Sequence, residues 1–137
     1  MVRLWHKDLI KYLPKKQLVG QWRECCAIMA GLAKNGTVDH PLVRKITDYP
    51  LNQFWSYSAL LYGELCFMGY KPRWSAFWNP YFKVTGGWTE LPATLFADWH
   101  TDRYLRQCLY NLQEKYDCGV ITSEEWKKIV DSFDIAC

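Results

Sequence analysis

Apolar residues recur at three- and four-residue steps through residues 15–34, where Leu18, Trp22, Cys25, Cys26 and Met29 fall on one side of a helix. That spacing is the buried stripe of an amphipathic helix. A second stripe, Lys16, Gly20, Arg23, Glu24, Ala27 and Gly31, sets one arginine and one acid among small residues. Glycine inside a helix costs about 0.5–1 kcal/mol relative to alanine, and a second backbone passing close over the helix beside Glu24 is the expected reason for Gly20. Pro14 opens this helix and Asn35-Gly36 stops it.

The same periodicity predicts a second long helix from about Pro50 to Gly69, carried by Leu51, Phe54, Trp55, Ser58, Tyr62, Leu65 and Cys66. A third, about 98–116, turns Tyr104, Leu105, Cys108, Leu109 and Leu112 inward. Thr122-Ser123-Glu124-Glu125 has the form of a capping box for a short last helix ending at Phe133. Residues 1–14 read as an extended arm and a short helical turn, and Leu42 to Tyr49 as a short basic segment. Residues 70–97 mix aromatics, bases and breakers, in Lys71-Pro72-Arg73-Trp74, Trp78-Asn79-Pro80-Tyr81 and Gly86-Gly87-Trp88, and read as a long aromatic-rich loop. β-branched alternation is nearly absent. The expected fold is all-α: one domain over residues 1–137, with three main helices, a short C-terminal helix and that loop.

Composition narrows the class further. Half the residues are hydrophobic and 17% aromatic, enough to bury a core and to exclude a disordered chain. No apolar run approaches the roughly 18 residues of a membrane span, and no signal-peptide core opens the chain, so a cytoplasmic protein is expected. The six cysteines have no zinc-ligand spacing and read as reduced, structural thiols. Residues 1–34 hold seven Lys/Arg against Asp8 and Glu24, a surplus of five, whereas the remainder holds ten bases and twelve acids. A basic N-terminal quarter on a near-neutral body is the footprint of a polyanion partner.

Met1-Val2-Arg3-Leu4-Trp5-His6, followed by Leu18 and Gln21-Trp22-Arg23-Glu24, resembles the pyrimidine-dimer DNA glycosylases of the phage endonuclease V type and their bacterial relatives. Asn35-Gly36 and His40-Pro41-Leu42 extend the likeness, which is clearest over residues 1–44. The resemblance implies a glycosylase with abasic-site lyase activity that acts as a monomer on damaged double-stranded DNA, with no cofactor, metal or membrane. It also implies that Met1 is removed and that the α-amine of Val2 is the nucleophile. An α-amine titrates near 7.7–8, so roughly a tenth is unprotonated at pH 7 and able to form an imine with a sugar. Glu24 is the implied acid, and Arg3 and Arg23 the implied phosphate contacts. Lys16, Gln17, His6, Arg73 and Lys83 complete the candidate DNA contacts, the last two because bases interleaved with Trp74, Trp78, Tyr81 and Trp88 suit stacking on an exposed base.

The chain departs from the family where Gln17 and Ala27 replace the usual histidine and arginine, and where its ending lacks the phage enzymes' aromatic-and-lysine cluster. These departures bear on which lesion is removed. Alternative readings are an enzyme for another damaged base, a DNA-binding protein without chemistry, and a helical protein-interaction domain. His6 also has a reading as a locally bonded histidine, and His100 with Arg103 and Arg106 reads either as a cationic stripe on the third helix or, with Asp98 and Asp102, as an ion-paired face. The loop tryptophans and tyrosines, equally, have a reading as cover for the core.

Overall fold

The computed structural model describes residues 3–37, 40–41, 44–87 and 90–133. Their elements are α1 (Lys15–Asn35), α2 (Leu51–Phe67), α3 (Ser75–Thr85), α4 (Asp102–Asp117) and α5 (Ser123–Phe133), with 3-10 turns at Lys7–Tyr12 and Arg44–Asp48. No strand occurs among the described residues, so the fold is all-α. No described helix is long and apolar enough to cross a membrane.

Local chemistry accounts for the helix ends. Gly36 takes a left-handed conformation (φ 74°) and returns its N–H to the Leu32 carbonyl, closing α1 at the predicted stop. Thr101 caps α4 through its hydroxyl, so that helix begins after the predicted 98. At α5 the box is reciprocal: the Glu125 N–H donates to Thr122 Oγ1, and the Thr122 N–H donates to Glu125 Oε1.

Of the predicted stripe of α1, Leu18, Trp22, Cys25 and Met29 are buried and Cys26 is half-buried, and Leu32 extends the buried face by a turn. They pack on α2, whose Phe54, Tyr57, Leu61 and Leu65 are fully buried, and on α3. The helix α3 corrects the long-loop reading of residues 70–97. Trp74, Phe77, Trp78 and Tyr81 recur at three- and four-residue steps, and Phe77 and Tyr81 are buried. Trp74 stacks on Trp22 at 6.0 Å and meets Tyr62 and Trp55 edge-on. Pro80 sits inside this 11-residue helix, where proline costs about 3 kcal/mol by deleting a hydrogen bond and crowding the preceding turn. Burial of these rings offsets it, and the aromatics read as base-stackers are core cover. Trp88 lies outside the described residues.

The arm at residues 3–6 is drawn into the core, with Leu4, Trp5 and His6 buried. His6 Nδ1 accepts the Asp8 N–H and caps the first 3-10 turn, so its Nε2 carries the proton and donates to the His100 carbonyl at 3.0 Å. His100 Nδ1 accepts the Lys7 N–H at 2.9 Å. The rings stack at 5.1 Å. This corrects two expectations: His6 offers no free nitrogen to a phosphate, and His100 is a buried residue of the turn before α4 rather than part of an exposed stripe.

Burial pushes the His6 pKa down and holds His100 at about 3, against an ordinary 6.5. Below pH 6.5 the unfolded chain therefore takes up protons that the folded chain refuses. The stability these residues supply is complete above that pH and falls as pH drops toward 3. The expected loss is up to about 1.4 kcal/mol per pH unit for His100 alone. Urea denaturation at pH 7.5, 6 and 5 should show it, with a shallower slope in His100→Asn; parallel slopes in the two proteins would show that His100 is not the group responsible.

Candidate active site

The arm ends beside a cleft of about 290 Å³ lined by Arg3, Trp5, Gln17, Gly20, Gln21, Glu24, Asn111 and Lys115. At about 100° per residue, Gln17, Gly20, Gln21 and Glu24 occupy one arc of α1, and α4 supplies the facing wall. The volume is at the lower end of the range for ligand sites.

The wall nearest the arm is fixed by hydrogen bonds that cross the molecule. The Trp5 N–H donates to Gln21 Oε1 at 2.7 Å, and the Tyr57 hydroxyl donates to the Trp5 carbonyl at 2.6 Å. The Tyr104 hydroxyl from α4 donates to the Leu4 carbonyl. Gln21 Nε2 donates to Glu24 Oε2 at 3.2 Å. The arm is thus tied to α1, α2 and α4 within two residues of Arg3, whose guanidinium lies 5.9 Å from the Trp5 ring centre.

Glu24 is half-buried in this wall. Burial raises its carboxyl pKa, and the positive amino terminus works in the opposite direction. Among the described residues it forms no ion pair, so the adjacent Arg23 is not its partner. Arg23 is exposed, about 100° around α1 from the cleft, and Lys16 lies beside it on the same outer flank.

Gly20 corrects another expectation. Among the described atoms, nothing lies within 4 Å of where a Cβ would stand. No described backbone packs over this glycine; the missing side chain leaves room in the cleft itself.

The structure brings Arg3, Gln17 and Glu24 together and sets Lys16 and Arg23 on the adjoining flank. It separates Arg73 and Lys83 from them. Arg73 is exposed just before α3, which packs on the Trp22 side of α1. Lys83 borders a groove with Ala30, Ala33 and Lys34, toward the C-terminal end of α1 and on the flank that carries Arg23 rather than on the cleft face. Val2 lies outside the described residues.

Asn111 and Lys115 were not among the expected site residues. A signal for them exists: Tyr104, Cys108, Asn111 and Lys115 continue at steps of four, three and four, so the inward stripe of α4 runs past its apolar part. An amine and an amide there give the cleft groups that donate hydrogen bonds to an anion.

A family model described as pyrimidine dimer DNA glycosylase matches residues 2–78. That span contains the arm, all of α1 and α2, and the Gln21 and Glu24 wall. No curated protein and no solved structure matches the chain.

Proposed function

The chain belongs to the pyrimidine dimer DNA glycosylase family, and from that premise we propose that it removes the damaged base and then cuts the strand as an abasic-site lyase, through the α-amine of Val2. The amine nitrogen attacks C1′, and the bond from C1′ to the base breaks with its electron pair leaving on the base, which takes a proton. Opening of the sugar ring moves a further proton to O4′ and leaves an imine between the amine and C1′. Loss of a proton from C2′ then expels the 3′ phosphate, and water releases the protein. Glu24 balances the positive charge that develops at C1′ and carries protons between these steps.

The observation that carries the reading is the placement of Glu24 and Arg3 in one cleft. Arg3 follows Val2 directly, so its Cα stands about 3.8 Å from that of Val2. Arg3 and Lys115 suit phosphate oxygens from inside the cleft, and the exposed Lys16 and Arg23 suit those of the flanking duplex. Gln17, in the cleft wall, can donate to the sugar or the phosphate. Arg73, on the Trp22 side of α1, and Lys83, toward its C-terminal end, lie apart from the cleft. The substrate is duplex DNA, and the protein acts as a monomer in the cytoplasm without a cofactor.

Borohydride reduction during turnover tests the chemistry, because it converts the imine into a stable amine link. Met1-free protein should be trapped on UV-irradiated duplex and on a duplex with one abasic site, and peptide mass analysis should place the link on residue 2. Trapping only on the abasic duplex would leave a lyase for another lesion. A link on Lys115, an amine of the cleft wall, would reassign the nucleophile, and tight binding with no adduct on either duplex would remove the chemistry altogether.

A further inference from the structure

We propose that Gln21 is the residue that positions the two halves of the reaction, its single carboxamide holding the arm that leads to the residue-2 amine and the Glu24 carboxylate at a fixed separation; this rests on the amine-and-acid reading above. Gln21 is 1% exposed. Its Oε1 accepts the Trp5 N–H at 2.7 Å and lies 3.3 Å from the Tyr57 hydroxyl, which bonds more closely to the Trp5 carbonyl. A backbone N–H can only donate, so the atom facing Trp5 must be the oxygen, and the amide nitrogen must face Glu24. There it donates to Oε2 at 3.2 Å.

The arrangement has two consequences. Glu24 Oε2 is occupied from within, which leaves Oε1 for the contents of the cleft. Any shift of the arm also pulls on the acid through one rigid planar group, so amine and carboxylate keep their register when DNA enters. An apolar side chain of the same length would fill the space and make neither bond. Glutamate would keep the bond to Trp5 and replace the donor with a second carboxylate.

Gln21→Glu provides a readout that a purely structural role would not move. Two carboxyls in contact share one proton at low pH and repel once both ionise. The shared proton restores the missing donor. Single-turnover borohydride trapping on an abasic duplex should therefore give a variant-to-wild-type ratio near one at about pH 5.5, falling at least about tenfold by pH 8. Gln21→Met should trap about 100-fold more slowly at every pH, as expected for a misplacement of the order of 1 Å, with duplex affinity kept and the melting temperature lowered by only several degrees, because the Trp5 N–H loses its partner. The Met variant decides the matter if the Glu variant does not fold. A ratio that is flat with pH, or a Met variant trapping at the wild-type rate, overturns the role of Gln21 and leaves the amine-and-acid reading standing. Failure of the wild type to trap overturns both.

Discussion

Glu24→Gln is expected to slow strand cleavage by about 10²–10⁴-fold, the usual contribution of a positioned acid–base group. Duplex binding should be unchanged or slightly tighter. Glutamine has the same shape and can still accept the hydrogen bond from Gln21, so the wall that holds the arm stays closed. The lost negative charge lies in a cleft shared with Arg3 and Lys115, where an incoming phosphate is attracted by both bases and repelled by the acid. Binding and chemistry should therefore separate, which a folding defect would not produce. The measurements are single-turnover cleavage of an abasic duplex and a filter-binding isotherm on the same duplex. Equal cleavage by the two proteins would remove Glu24 from the mechanism.

A one-residue extension before Val2 is expected to act as strongly through geometry alone. An added glycine keeps a primary amine of similar basicity and moves it about 3.8 Å along the chain. The arm cannot absorb this by sliding, because the Leu4 carbonyl, both backbone groups of Trp5 and the Lys7 N–H are already bonded to Tyr104, Gln21, Tyr57 and His100. Since misplacement by 1 Å costs on the order of 100-fold, borohydride trapping should fall by at least that factor. Melting temperature and affinity should stay the same. Undiminished trapping through the added glycine would mean that the arm is loose, or that another amine reacts.

The parts of this fold that were legible in the sequence are those decided within a few residues. The α1 stripe, its stop at Asn35-Gly36 and the Thr122–Glu125 capping box follow from local spacing and backbone chemistry, and the structure has them where they were expected. The helix α3 was hidden because Asn79-Pro80 is a strong local breaker. What overrides it is the contact of Trp74 and Phe77 with Trp22 and Phe54, which lie far away in the chain. His6 and His100 were misplaced for the same reason: His6 bonds Asp8 locally, but what buries both rings is their contact with each other, 94 residues apart in the chain. Within the candidate site, Glu24 and Arg3 were legible through their motif. Gln21 has its meaning only once the arm is laid against it, and Lys115 only once α4 forms the opposite wall.

The ties on the arm also set when the cleft can exist. Leu4 and Tyr104 are 100 residues apart in the chain, and at roughly 5–20 residues per second a ribosome needs about 5–20 s to make the second after the first. Through that interval the nascent chain has its amino terminus and Glu24 but neither Tyr104 nor the wall formed by α4. On the proposed chemistry the amine is thus exposed early and aimed late, and the arm stays open to an aminopeptidase until α4 has been made. Folding then draws Leu4, Trp5 and His6 out of reach in the step that completes the cleft.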